Sequence, residues 1–459
     1  MRSAPARSLP LDDSRPIWQA LLVFLIPLML SNILQALGAT GNAIYLGRLI
    51  GVNALAAVSS IFPVVFFLVS FLIGLASGST VLIGQAFGAG ETEKLKQVAG
   101  TAITLSLLLG AVVGTFGGLF SRELLNAMGT PADILDLAAG YSSIVFFTLP
   151  VLFLYLIYTT FLRGLGDTRS PFIALIGSTI LTLVLTPAFI LGWAGLPKLG
   201  TNGAAVANVI APACGLAGLL VYLARRKSPV AMDRDMLAHL RFRPEIAWKI
   251  VRIGVPTGVN LVMVSLSEIA VISFVNHFGS KATAAYGAVN QVVNYVQFPA
   301  VSIAIAASIF GSQSIGAGRT DRLLKIVRSA VALNYIIEGL LALLGYIFSY
   351  ALIALFIKDT ETIVVAHRLL MITLWSYAIF GNARVLSGIM LSSGTVVWPT
   401  LLSVLSIWGV EVPVAYTLMQ RWGLDGVWYG YPAAYIAGLA MQFTYYKFFW
   451  RKRRIERLI

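Results

Sequence analysis

The chain has 459 residues, of which 58% are hydrophobic and only 11% charged, with a mean hydropathy of +0.85. A soluble protein of that balance lacks the polar residues to cover its surface, so a soluble enzyme or signalling domain is excluded. The formal net charge of +14 invites a nucleic-acid partner, and the placement of the charges along the chain removes that reading.

Residues 1–16 hold Arg2, Arg7, Arg15 and two aspartates, and the apolar run that follows has no small-residue cleavage site. This segment reads as a cytoplasmic N-terminal tail before a retained first helix, not as a signal peptide. Runs able to cross about 30 Å of hydrocarbon recur from there to the end. They predict twelve helices, at 18–40, 53–77, 97–119, 137–162, 170–193, 203–224, 250–275, 283–311, 325–348, 364–391, 398–419 and 427–449. Lipid-exposed backbone must satisfy its own hydrogen bonds, and the alternating strands of a barrel are absent. The fold class is therefore an all-α polytopic membrane protein. Cys214, the single cysteine, lies in an apolar run and is expected to pack there, with no internal disulfide.

With the N-terminus inside, 25 of the 33 basic residues fall in cytoplasmic segments and seven on the opposite side, leaving Arg384 within a helix. That asymmetry alternates loop by loop and supports twelve spans with both termini cytoplasmic, in the plasma membrane. Topology and anionic lipid then account for the positive charge, and no nucleic-acid partner is required.

The chain also repeats itself. Gly84-Gln85-Ala86-Phe87-Gly88-Ala89-Gly90 returns as Ser312-Gln313-Ser314-Ile315-Gly316-Ala317-Gly318 at an offset of 228, and Gly51–Ala57 matches Gly279–Ala285 at the same offset. Gly166 and Pro171 match Gly394 and Pro399, again at 228. The organisation expected is a tail at 1–16, an N-lobe at 17–224, a cytoplasmic linker at 225–249, a C-lobe at 250–450 and a basic tail at 451–459. Two parallel six-helix lobes form a cleft and alternate its access. The glycine-rich element lacks the Lys-Ser/Thr of a phosphate-binding loop and follows a membrane helix, so it reads as a tight cytoplasmic turn. With no ATPase elements elsewhere, an ion gradient is the expected energy source.

These paired turns, together with Leu162-Arg163-Gly164-Leu165-Gly166-Asp167-Thr168-Arg169 after helix 4, Ala284-Ala285-Tyr286-Gly287 opening helix 8, and Glu268 in helix 7, resemble the multidrug and toxic compound extrusion (MATE) family. The resemblance covers nearly all of residues 16–450. It implies a V-shaped pair of lobes and secondary active antiport: cationic or amphipathic drugs, toxins and metabolites leave in exchange for H+ or Na+. It also implies that Glu268 couples the ion, with Asn382 at the place of a helix 10 aspartate found in many sodium-coupled relatives. Helix 1 has Asn42 where many relatives have aspartate, and Thr182 and Thr186 stand where helix 5 often has an Asn/Asp pair. The lost charge at 382 tips the coupling ion toward H+.

Three acidic residues lie within spans: Glu268, Glu338 and Glu411. Ionisable groups in lipid are expensive, which makes each a functional candidate. Glu268 is flanked by Ser265 and Ser267, whose hydroxyls can share a transient Na+; no structural metal and no cofactor are expected. In helix 8, Asn290, Gln291, Asn294 and Gln297 largely share one face and either line the cleft or bond helix 7. Gln35 and Asn42 are the helix 1 counterparts among the substrate-cavity candidates, with Ser265, Asn290 and Asn294. Arg384 lies about six residues, ~9 Å, deeper than Glu411 on the helix 10–11 hairpin and, with its long side chain stretched, is expected to form a structural ion pair with it, while Glu338 matches no motif. No aromatic drug cage is assigned, since most aromatic residues of a membrane protein face lipid. Partners expected are small organic, often cationic, substrates and membrane lipids, with the chain acting as a monomer. The alternative transport function is a lipid-linked precursor or polysaccharide flippase. An enzyme is disfavoured, because His239, His277 and His367 are widely separated.

Overall fold

The computed structural model describes residues 16–459; residues 1–15, with Arg2, Arg7 and Arg15 of the expected tail, lie outside the described residues. Every regular element among the described residues is helical. The spans are α1 (Ile17–Tyr45), α2 (Val52–Ala89), α3 (Thr92–Leu119), α4 (Ala132–Phe147 and Leu149–Gly164), α5 (Arg169–Leu191) and α6 (Thr201–Arg225). Then follow α7 (Pro244–Asn276), α8 (Ser280–Gly316), α9 (Arg322–Ile347), α10 (Thr360–Thr373 and Ser376–Leu391), α11 (Val397–Trp422) and α12 (Gly430–Phe448). Nine are continuous and apolar enough to span a membrane, and the bent pairs α4 and α10 bring eleven. The 19-residue α12 fills the twelfth expected place.

The two breaks have different causes. In α4 the halves meet at 51°, with Pro150 opening the second half, where a missing N–H removes a ladder bond. No proline lies at the 47° break in α10. There the Tyr346 hydroxyl of α9 accepts from the Trp375 N–H at 3.1 Å and donates to the Met371 carbonyl at 3.4 Å. Those two groups would otherwise bond each other, so an inserted side chain opens the helix.

The internal repeat is visible in the helix ends. Gly90 and Gly318 both take φ 73°, where glycine carries no steric penalty. Gly90 N–H bonds the Phe87 carbonyl and Glu91 N–H the Ala86 carbonyl; Gly318 to Ile315 and Arg319 to Ser314 reproduce the pattern. Both are Schellman caps. The same pair of bonds closes α4 at Gly166 and Asp167, and α10 at Gly394 and Thr395. The motif expected to be a turn is thus mostly helix: α2 continues to Ala89, Gln85 is buried, and only the last glycine leaves the helical region.

Two compact units result, Leu30–Val255 and the described part of Met1–Met29 together with Pro256–Ile459. Their boundaries fall inside α1 and α7, beside Pro27 and Pro256, rather than at the linker 225–249. The reason is visible in α1: Leu21, Phe24, Leu25 and Leu28, an i, i+3, i+4, i+7 stripe, are buried among Ile303, Phe310 and Ile389 of α8 and α10. In the other unit Gly254 packs its α-carbon against the Leu75 backbone of α2. Helix α8 is the core of its unit, with 67% of its apolar window buried. Cys214, expected to pack, is instead exposed on α6, because the buried side of that helix is taken by Ala204, Ala207, Ala211 and Leu219.

The linker folds onto α3. Asp233 caps the short helix Arg234–His239 by accepting from the Met236 N–H at 2.7 Å, and Lys96 of α3 pairs with Asp235. His239 is buried, and both its ring nitrogens face acceptors: Nδ1 the Asp235 carbonyl and Nε2 the Glu93 carboxylate, each at 2.7 Å. Two donors require the imidazolium form. The bonds to the Asp235 carbonyl and then to Glu93 raise the His239 pKa above its ordinary 6.5, and the same His239 bond chiefly lowers that of Glu93. A raised histidine pKa stabilises below about 6.5 and stops doing so as pH rises through the raised value. The depressed Glu93 contributes above its ordinary 4.5 and is lost only as pH falls through its lowered value. The clasp is therefore firm in mild acid and loosens toward alkaline pH. Amide exchange in 228–243, corrected for intrinsic rates, is expected to accelerate between about pH 6 and pH 9. In His239→Gln that pH dependence should vanish; its persistence would refute the assignment.

Candidate ion- and substrate-binding site

Helix α7 buries Asn260, Ser267, Val271 and Val275 and exposes Leu266 and Ile269. Glu268 stands at the border of these faces and is exposed, so its carboxylate is reachable. It lies close enough to Glu411 of α11 for the two charges to repel. Glu411 is 4% exposed and closes a π-turn, Ile407–Glu411, immediately before Val412-Pro413. π-Turns of this kind insert one residue into a helix and redirect the side chains that follow.

Around the two carboxylates is a set of tyrosines that sense their charge: Tyr286 on α8, Tyr377 on α10, and Tyr435 on α12. Tyr431, one helical turn before Tyr435, senses Glu411. The hydroxyls of Tyr286 and Tyr431 are 2.9 Å apart. Tyr286 stacks on Trp428 with ring centroids 5.8 Å apart, and Tyr377 and Phe380 meet Tyr435 at 5.4 and 5.0 Å. Tyr286, Tyr377 and Tyr431 are buried; Tyr435 is half-buried and is the member that opens outward. When ionised, these carboxylates attract a cation through charge, and the surrounding ring faces add to that attraction.

The residues expected from sequence distribute as follows. Asn290 is half-buried beside the Tyr286 hydroxyl and so belongs to this network. Ser265 is half-buried, one turn before Glu268. Gln291 and Asn294 are exposed and Gln297 half-buried, and none of them bonds α7. Asn382 is buried and gives its Nδ2 to the Ala378 carbonyl at 2.9 Å; no hydrogen bond joins it to Glu268. In the other unit, Asn42 accepts from Thr186 at 3.4 Å, uniting the two positions flagged in helices 1 and 5. Thr182 donates to the Ser178 carbonyl at 2.9 Å, and Gln35 is exposed, bonded to the Ser31 carbonyl at 3.3 Å.

The expected Arg384–Glu411 ion pair does not form. Arg384 reaches Asn260 of α7 at 3.4 Å and lies over the Phe380 ring at 5.9 Å. Counting residues along a hairpin sets the level of two side chains, whereas their bearing around each helix depends on a regular repeat. The π-turn ending at Glu411 breaks that repeat. The tyrosines are the residues that sequence reasoning passed over. Their signal was the i, i+4 spacing of Tyr431 and Tyr435 and the tyrosine within Ala284-Ala285-Tyr286-Gly287.

Comparison with known proteins agrees with this architecture. The MatE family profile matches residues 27–188 and 256–417, once in each half. The chain is 51% identical over 449 residues to YoeA, a probable multidrug resistance protein of Bacillus subtilis strain 168, covering 97% of each. It is 24% identical over 451 residues to NorM, a probable multidrug resistance protein of Thermotoga maritima, covering 97% of this chain and 96% of that one. The crystal structure of a mutant of the Vibrio cholerae MATE transporter VcmN superposes with a TM-score of 0.88 at 22% identity, covering 96% of this chain and 98% of that one, a likeness of fold. With both halves matched and half of all residues shared with one relative, the chain belongs to the MatE family of multidrug efflux transporters.

Proposed function

We propose that the protein is a secondary active antiporter that exports cationic or amphipathic organic compounds in exchange for H+ or Na+ by alternating access. It does so as a monomer in the plasma membrane, with both termini cytoplasmic. The observation that carries this reading is the nearness of Glu268 and Glu411 within one aromatic surround. Two carboxylates that repel each other within an apolar surround favour a bound counter-ion. A proton, Na+ or an organic cation each supplies that charge, and occupancy by one weakens binding of the others. Mutual exclusion at a site with alternating access makes transport an exchange. Glu268, the exposed member, is the group that trades ions, and H+ is favoured there because Asn382 brings no second charge to it. Tyr435, the half-buried member, offers a ring face to the organic cation, a contact that contributes about 0.5–2 kcal/mol.

The test is reconstitution in liposomes with a fluorescent organic cation and one gradient at a time. Export above the leak under a pH gradient alone, or under a Na+ gradient alone, is the expected result and identifies the coupling ion. Export that neither gradient drives would overturn the proposal.

A further inference from the structure

A second polar cluster lies inside the C-terminal unit, where α8, α9 and α10 meet. Asn334 and Glu338 stand one turn apart on the buried face of α9, 0% and 1% exposed, and Asn382 of α10 is 2% exposed. The Nδ2 groups of Asn334 and Asn382 donate to a single acceptor, the Ala378 carbonyl, each at 2.9 Å. That shared bond fixes both amides, since a flip would turn their oxygens against a carbonyl oxygen. Both Oδ1 atoms are therefore acceptors, and both are buried without a partner. The two carboxylate oxygens of Glu338 are also buried without a partner. The carboxylate lies beside the Ala300 N–H, next to Pro299 of α8, and completes no hydrogen bond with it. A helical side chain leans toward the N-terminus of its own helix, which carries the Glu338 carboxylate over Asn334. Gly381 permits the close packing: a Cβ there would sit 2.2 Å from Asn334 Oδ1.

Four acceptor oxygens thus lie buried in this interior region with no hydrogen bond completed to any of them among the described residues. Buried polar groups are almost always satisfied, and a buried carboxylate needs a compensating charge. A proton on Glu338 supplies a single donor and leaves the other oxygens unmet; water supplies hydrogens and no charge. A small oxygen-seeking cation can draw ligands from these oxygens and balances the carboxylate. A single carboxylate matches a single positive charge, which favours a monovalent ion over a divalent one.

We propose that Asn334, Glu338 and Asn382 form a buried Na+ site, distinct from Glu268. The proposal deepens the ion-coupled reading above, on which only the use of the bound Na+ depends; binding itself is measured without transport. The test is equilibrium binding of radiolabelled Na+ to the purified full chain, with thermal unfolding in NaCl and in choline chloride at equal ionic strength. Saturable binding of at least one Na+ per chain and a higher unfolding midpoint in NaCl are expected. Glu338→Gln and Asn334→Leu should each weaken Na+ binding by at least about tenfold, because each removes a ligand. Glu123→Gln, at an exposed carboxylate outside both sites, should leave it within about twofold, since that residue is no ligand. Absence of saturable Na+ binding in the wild type overturns the site whatever the variants do. Unchanged affinity in Asn334→Leu overturns it even if Glu338→Gln does not fold, and so does an equal loss of binding in Glu123→Gln. If Na+ binds as expected yet no gradient drives organic-cation export, this site stands and the proposed function fails.

Discussion

Glu268→Gln is expected to lower gradient-driven export of an organic cation by at least about tenfold while leaving the protein folded and inserted. The size follows from charge. A unit pair some 4 Å apart at an effective dielectric of 20 interacts by about 4 kcal/mol, and each 1.4 kcal/mol is a factor of ten. Even a third of that energy reaches tenfold. Glutamine preserves shape and hydrogen-bonding capacity but neither titrates nor balances a cation, so substrate and coupling ion lose their common partner. Folding should survive because Glu268 is exposed and makes no hydrogen bond or ion pair among the described residues, so little packing depends on it. Transport assays of matched quantities of wild type and variant, with circular dichroism for fold, check the expectation. Undiminished export by the variant would remove Glu268 from the mechanism.

Gly388→Ala is expected to be among the most destabilising single-methyl additions in the chain. A Cβ at Gly388 would sit 2.4 Å from the carbonyl oxygen of Ala304 and 3.1 Å from its carbonyl carbon. These are backbone atoms of α8, the most buried helix of the unit, and cannot rotate aside. Accommodation must come from separating α8 from α10, the helices that carry Tyr286 and Tyr377. Overpacking of this kind costs about 1–3 kcal/mol, read as a lower apparent unfolding midpoint in detergent. Gly339 on α9 is the control, since no atom lies within 4 Å of its added Cβ. Alanine there should be neutral or slightly stabilising, through helix propensity alone. Equal midpoints for Gly388→Ala and Gly339→Ala would contradict the packing described.

The periodic part of this fold was legible in the sequence, and the part set by individual contacts was not. Twelve helices follow from apolar length, and the halves from the 228-residue offset, because both are properties of segments. The glycines at 90, 318, 166 and 394 were found for the same reason, yet their neighbours were misjudged: Gln85 and Gln313 sit inside long helices, not in turns. A Pro or Gly marks most helix breaks, but the break in α10 is caused by one hydroxyl from another helix, Tyr346, and nothing near Trp375 announces it. Within the candidate site, Glu268 was legible because an acid inside an apolar run is conspicuous. Its relation to Glu411 was not, because the π-turn at Ile407–Glu411 changes bearing without changing composition. The tyrosines escaped because aromatic residues are common in membrane helices, and only the structure separates those facing carboxylates from those facing outward.

The most direct test is the affinity of the purified protein for an organic cation, measured across pH and Na+ concentration. If Glu268 and Glu411 hold either the organic cation or the coupling ion, the apparent Kd of the wild type rises at least about tenfold as that ion is added, one tenfold step being 1.4 kcal/mol of competition. In Glu268→Gln the dependence should flatten. A wild-type affinity that ignores both H+ and Na+ would contradict a shared acidic site and with it the proposed exchange.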